Sequence, residues 1–387
     1  SRRQRQMCIR DRWAFCIYNK LNGETFVARD RFGIKPLYYS IIKGNIYVYS
    51  EIKQIKRIIN LSYDKENSLD YLFFGRLLHN EQTVFKEVQQ LLPGHAFTKL
   101  PGSKLDIFKY YDIPIKQNFN SLNENIETLE WLIKDSINLR LRSDVELGGL
   151  LSGGVDSSIL AHYISKSKKD YTGFHFHSEK YDELVYAKKV ASSNDFKLNI
   201  VSEKESLNDI NDLMKSFDLP FNSLSILAQN QVFSNAKSND FKVMISGQGA
   251  DELFLGYDRY KYLNKKLHYK HFVFFNQKIN KFFNSFRFRI SPELRKHFSD
   301  RVLINNTHNK SFKDFQKDEI FKYQLPQLLY YEDQNSMANS IESRLPFLDY
   351  RLVEFAVNLP FNQKVYKGET KYILKVLARK IFGDEFV

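Results

Sequence analysis

Twice along this chain an apolar run breaks into a glycine-rich turn that ends in a carboxylate. The first is LLSGGVDSSIL, residues 150–160, and the second is KVMISGQGADELFLGY, residues 242–257. A strand that feeds a helix through glycine lets backbone N–H groups approach an anion closely. Serine hydroxyls and the positive end of the helix add to that attraction. Ser152, Gly153, Gly154, Ser157 and Ser158 supply this chemistry in the first turn, and Ser246, Gly247 and Gly249 in the second. Asp156 and Asp251 are out of place in a plain anion nest. Carboxylates beside phosphates suit a bridging Mg²⁺. The first turn also lacks the lysine that a Walker-type phosphate loop keeps. Each segment alone could be a capped turn before a helix. Two copies of one arrangement make that coincidence harder to sustain.

The pattern around these turns sets the fold class. Strands at 145–151, 171–177, 197–202 and 242–246 are predicted to alternate with helices at 157–167, 183–194 and 225–237. That alternation predicts an α/β unit with a parallel sheet covered on both faces. In such sheets ligands sit at the carboxyl ends of the strands, where both turns fall. Residues 125–142 have helical periodicity, and from about 252 onward the pattern is mostly helical. Residues 14–50 read differently, as strands joined by hairpin turns at Leu21-Asn22-Gly23 and Lys43-Gly44-Asn45. More strand-and-turn signals follow to about residue 115, and the polar stretch 116–124 reads as a linker. The 387 residues therefore divide into a β-rich domain, 13–115, and an α/β domain, 116–387. Residues 1–12 read as foreign or assembly-derived sequence.

Composition excludes several classes. With 43% hydrophobic, 27% charged and 15% aromatic residues, the chain can pack real cores and is not disordered in character. Two cysteines, Cys8 and Cys16, cannot build a disulfide framework, which favours a reducing, cytoplasmic setting. Cys16 falls within a strand and is expected in the core. No apolar run is long enough to predict a membrane span. The net charge of +13 raises a nucleic-acid partner, but the lysines are spread along the chain and mixed with acids. Lys261 to His297 is basic and rich in Phe and Tyr, and packed helices with a solvated basic face account for it. Neither a nucleic acid nor a membrane is expected as partner.

The motifs together carry a resemblance. LSGGVDSS is similar to the loop of the N-type ATP pyrophosphatases, which cleave ATP between the α and β phosphates. SGQGADELFLGY, NSMANSIESRLPFLDYRLVEFAVNLP and KGETKYILKVLARK resemble the other signatures of the glutamine-dependent asparagine synthetase family. VARDRFGIKPLYY and SEIKQI resemble the end of that family's glutaminase domain, and the matches run in family order from about residue 13.

The resemblance implies a partial N-terminal-nucleophile glutaminase β-sandwich followed by an ATP-pyrophosphatase domain. It implies ATP and Mg²⁺, with aspartate as the acceptor and glutamine or ammonia as nitrogen donor, and it allows a homodimer. The aspartate side-chain carboxylate would attack the α phosphorus and release pyrophosphate. Ammonia would then convert the acyl-adenylate to asparagine and AMP. A related adenylating enzyme acting on another carboxylate, or an inactive ATP-binding fragment, is the alternative.

Residue by residue, Ser152, Gly153, Gly154, Asp156, Ser157 and Ser158 match the pyrophosphate loop, and Asp156 and Asp251 the Mg²⁺ carboxylates. Leu150, the region of His175 and Phe176, and Ser246-Gly247 match the adenosine side. Asp182 and Glu183 match a recurring element near the nucleotide. Lys371 matches the lysine that the loop lacks. Glu342 and Arg344 match a signature beside the acyl site, with a structural ion pair involving Asp349 as the alternative. Gln248 stands where some members carry Glu, and Gln cannot act as a base. Family members begin with a catalytic Cys followed by a long glutamine-binding segment, and only twelve residues precede Trp13 here. Cys8 does not fit that role, so the glutaminase half is expected to be inactive in this chain, and the chain is also expected to stop short of the family's C-terminus.

Overall fold

The computed structural model describes residues 12–118, 120–179, 183–203, 207–221, 223, 225–262 and 311–386. Residues 1–11 with Cys8, Asp182, and nearly all of the basic stretch Lys261–His297 lie outside the described residues.

Both expected hairpins form. β1 (Ala14–Tyr18) pairs antiparallel with β2 (Thr25–Arg29), and β3 (Tyr38–Ile42) with β4 (Asn45–Tyr49). Lys43 and Gly44 both have positive φ, 50° and 83°, as a two-residue turn matched to strand twist requires. Three more strands, β5 (Gln89–Gln90), β6 (His95–Lys99) and β7 (Asp106–Lys109), complete two sheets in the orders β1-β2-β6-β7 and β4-β3-β5. Val27, Leu37, Tyr39, Leu91 and Phe97 pack between them. β1 is an edge strand with all five residues exposed, so Cys16 is exposed and not core. An alternating pattern marks a strand but not whether anything covers it, and here the edge leaves Ile17 and Tyr18 open as well.

The α/β unit opens with the helix Leu122–Arg140. Ser121 and Glu124 form a capping box there, so the expected linker ends earlier and its last residues belong to the cap and first turn. The cap contributes about 1 kcal/mol. Burial of Ile126, Leu129, Leu132, Ile133 and Ile137 at helical spacing contributes roughly 1.5–3 kcal/mol each, so packing rather than capping fixes this helix.

Five strands then form one parallel sheet: β8 (Leu147–Leu150), β9 (Thr172–His177), β10 (Lys197–Ser202), β11 (Val243–Ile245) and β12 (Glu342–Arg344). Their order is β10-β9-β8-β11-β12. Helices Leu122–Arg140, Val155–Ser167, Tyr350–Asn358 and Tyr372–Phe382 share the large core on one face. Helix Ser225–Ser238 packs its Val232 and Phe233 with Phe174 and Met244 on the other. The expected doubly wound α/β class holds. β12 lies in a stretch expected to be helical, and three residues are too few to show a strand period without the β11 partner. The helices Lys65–Phe74 and Leu207–Ser216 were also not marked by the sequence pattern.

The order matters for function. The chain runs outward from β8 through β9 to β10, then returns to β11 on the other side of β8. The switch point falls between β8 and β11, which are the two strands that end in glycine turns. The β-rich part packs beside it. Lys35 Nζ meets Asp333 Oδ1 at 2.6 Å, and the Arg31 guanidinium lies over the rings of Trp13, Tyr111 and Tyr350. Among the described residues no helix is long and apolar enough to cross a membrane.

Candidate functional site

The first turn is tied together by its own serines. Ser157 Oγ lies 3.0 Å from Ser152 Oγ and accepts from Ser152 N at 3.2 Å. Gly154 N donates to Ser152 Oγ at 3.2 Å. Gly153 has φ 91°, and a Cβ there would meet the Glu183 carbonyl oxygen at 2.7 Å, so the glycine allows both the turn and the close approach of the next helix. Below the turn, His175 Nδ1 donates to the Leu151 carbonyl at 2.8 Å, and burial lowers the imidazole pKa. Leu150 and Phe176 pack against the Phe174 cluster and wall this end of the sheet.

The second turn is held from behind. Ser246 N donates to Arg344 O at 2.9 Å, and Ser246 Oγ donates to Glu332 Oε2 at 3.2 Å and accepts from Gln248 N at 3.3 Å. Gly247 brings the two turns face to face: a Cβ there would rest 3.6 Å from Ser157 N and 3.7 Å from Asp156 Cβ.

Lys371 closes the arrangement. It begins the helix Tyr372–Phe382 with φ 53°, a left-handed conformation that costs a non-glycine residue about 1–2 kcal/mol. Its Nζ pairs with Asp156 Oδ2 and, at 2.7 Å, with Asp251 Oδ1. Burial disfavours the ammonium, but the two carboxylates outweigh it and hold the lysine above its usual pKa. Asp156 is pushed up by burial and by Asp251, against the pull of Lys371. Two carboxylates facing one ammonium leave one negative charge unmatched. Asp156 Oδ1 and Ser158 Oγ are buried without a hydrogen-bond partner among the described residues. Two oxygen ligands with one oxygen unpaired fit a Mg²⁺ ion that completes its shell with phosphate and water. Among the described residues no cluster of three or more His, Cys, Asp or Glu could hold a metal unaided.

Glu342 and Arg344 stand apart from the Lys371 contacts. Arg344 Nε donates to Glu342 Oε1 at 2.8 Å, and Nη1 donates to the carbonyls of Arg140 at 2.5 Å and Arg142 at 2.8 Å. Arg12 also pairs with Glu342. Burial raises Glu342, yet Arg344 and Arg12 hold it below its usual value. The alternative ion pair with Asp349 does not form, because Asp349 pairs with Arg351 and Arg140.

Two glycine-turn segments on neighbouring parallel strands, joined by a distant lysine, match the order of signatures read from the sequence. An asparagine synthase family model matches residues 128–387, and a glutamine amidotransferase domain model matches residues 6–111. The chain belongs to the asparagine synthase family. It is 27% identical, over 97% of its length, to asparagine synthetase (glutamine-hydrolyzing) 1 of Bacillus subtilis strain 168, and it spans 66% of that protein. Asparagine synthetase (glutamine-hydrolyzing) 3 of the same organism is 23% identical over 97% of this chain and 65% of its own length. A Gibberella zeae amidase is 23% identical over 97% of this chain and 68% of its own length. The chain thus spans between about half and two thirds of the length of the synthetases it matches.

Three further residues beside these contacts have no role assigned from the sequence. Gly256 lies against the lysine cluster, where a Cβ would overlap Asp251 Oδ1 and Lys371 Cε. Glu252 is fully buried, accepts from Tyr257 Oη at 2.7 Å, and is pushed by burial up to about 7. Glu332, also buried, accepts from both Ser246 and Ser343 and is likewise pushed by burial up to about 7. Gly256 and Glu252 fall inside the quoted SGQGADELFLGY without a local cue to these contacts, and Glu332 is an acid in the middle of the helix Leu325–Ala338.

Proposed function

We propose that this chain carries the adenylating half of an asparagine synthetase, an ATP-dependent carbon–nitrogen ligase, in the division 13–115 and 116–387 expected above. The observation that carries the reading is Lys371 bridging Asp156 and Asp251 across the switch point. ATP would lie with its adenosine along Leu150, His175 and Ser246-Gly247, and its β and γ phosphates on Ser152, Gly153, Gly154, Ser157 and Ser158. The helix N-terminus at Val155 favours the anion. The aspartate side-chain carboxylate attacks the α phosphorus, the bond to the β phosphate oxygen breaks, and pyrophosphate leaves. Lys371, kept protonated by its two acids, offsets the charge that develops on that leaving group. Mg²⁺ held by Asp156 and Asp251 would supply Lewis-acid neutralisation of the same phosphates. Ammonia then attacks the acyl carbon and AMP departs, giving asparagine. A cytoplasmic setting, where ATP and Mg²⁺ are available, follows from this reading.

Gln248 motivates a second reading, a related enzyme that joins another carboxylate to another amine, because it stands where some family members carry Glu and cannot serve as a base. The test is pyrophosphate release with ATP, Mg²⁺ and aspartate, comparing ammonia with glutamine as donor. Asparagine and pyrophosphate with ammonia are expected. No release with aspartate from folded protein would overturn the asparagine reading and leave the second, which a panel of other carboxylates then tests; release with none of them would overturn both.

A further inference from the structure

Behind the Lys371 cluster lies a second lysine that this chemistry does not use. Lys364 is fully buried. Its Nζ donates to Gln316 Oε1 at 2.7 Å and to the Val357 carbonyl at 3.1 Å, so its bonded partners are neutral. Burial, with Lys313 nearby, holds the amine well below the usual lysine pKa. Placing such a group in the interior is costly unless its hydrogen bonds fix something in place.

Gln316 shows what is fixed. It is also fully buried, and its Nε2 donates to two carbonyls, Glu252 O at 2.8 Å and Leu253 O at 2.6 Å. Both belong to the short helix Ala250–Phe254, whose last carbonyls have no further turn to bond them. Asp251 is in that helix. Lys364 closes the helix Phe361–Lys364, and the chain then makes a tight hairpin before Lys371, with Tyr366 N on Glu369 O at 3.0 Å and Glu369 N on Tyr366 O at 2.8 Å. Glu369 is held in turn by Arg379 at 2.7 Å. One side-chain amide therefore links the segment that carries Asp251 to the segment that leads into Lys371. Only an amide does both jobs, since it donates twice through nitrogen and accepts through oxygen.

We propose that Gln316 and Lys364 are positioning residues: a buried amide–amine strut that sets the spacing of Asp251 and Lys371, and through it the affinity for the Mg²⁺-bound phosphates of ATP. The inference rests on the proposed function for its ligand but on separate residues for its geometry.

The deciding variant is Gln316→Glu. A carboxylate still satisfies Lys364, and more strongly than the amide did, but it places acceptor oxygen against two carbonyls and cannot hold the Asp251 helix. If the strut sets spacing, the KM for Mg²⁺·ATP in the pyrophosphate-release assay rises roughly tenfold, the KM for aspartate stays unchanged, and Gly256→Ala, which pushes directly on Asp251 and Lys371, gives the same split. If Gln316→Glu melts below assay temperature, Gln316→Met, which removes donor and acceptor at similar volume, is read in the same way. An unchanged KM for Mg²⁺·ATP, or equal rises for ATP and aspartate, would overturn the strut. Should the unaltered chain release no pyrophosphate, that counts against the function, and the strut is then read from Mg²⁺·pyrophosphate affinity in the same variants, where an unchanged affinity would likewise overturn it.

Discussion

The two glycine turns have the same outline and opposite support. The turn after β8 is held by hydrogen bonds among Ser152, Gly154 and Ser157, all within the turn itself. The turn after β11 makes few such bonds and is instead backed by buried polar groups from distant segments, Glu332 on Ser246 and Gln316 on the helix carbonyls, besides the local bond from Tyr257 to Glu252. The first is a self-contained turn that its local sequence spells out. The second takes its position from the rest of the fold. Lys371 is the joint between them, and the left-handed backbone at that residue is the strain the joint carries.

The largest expected effect comes from cutting the joint. Lys371→Met should lower kcat for pyrophosphate release on the order of 10²–10³-fold, the scale of losing one preorganised donor at a developing anion. A loss of only a few-fold would mean that the turns do not act through Lys371. Next is Gly256→Ala, which drives a Cβ into Asp251 and Lys371. Its melting point should fall by the equivalent of about 1–3 kcal/mol, and kcat/KM should fall roughly ten- to a hundredfold. A variant that matches the unaltered chain in both assays would show that the second turn has slack.

The third effect separates the turns by pH. Glu252 and Glu332 have their folded pKa raised from the model-peptide range to about 7. For an acid shifted upward, the stability is fully present below the unfolded pKa and is lost as pH rises through the folded value. Each acid should thus withdraw up to about 3 kcal/mol between roughly pH 4.5 and pH 7. Melting curves over that range should show the loss, and Glu252→Gln or Glu332→Gln should each flatten part of it. An unchanged pH slope in both variants would remove the buried acids from the account. The smallest effect belongs to the first turn. Ser157→Ala should cost only about 0.5–1.5 kcal/mol of stability, measured by denaturant titration, with no change in its pH dependence.

This contrast also explains what could be read in advance. The first turn, the hairpins and the alternation of strands and helices rest on local patterns, and all appeared where the sequence placed them. β10 matched its expected bounds, and Lys371, singled out far from both turns in the sequence, lies against Asp156 and Asp251. The failures share a cause. Cys16 was misplaced because alternation does not say which strand is an edge. β12 was missed because three residues become a strand only beside β11. Arg344 was read with Glu342, and the two do bond, but its second anchor, the carbonyls at the end of the helix Leu122–Arg140, is brought close only by folding. Gln316 and Lys364 are the plainest case, ordinary surface-type residues in the sequence that become fully buried because three separate segments converge on them.

The central claim is that both turns and Lys371 form one site for Mg²⁺-bound pyrophosphate. Calorimetric titration of Mg²⁺·pyrophosphate into the unaltered chain and into Lys371→Met tests it most directly. Binding that requires Mg²⁺ and is lost in Lys371→Met is the expected result. Equal binding in both proteins, or binding indifferent to Mg²⁺, would contradict it.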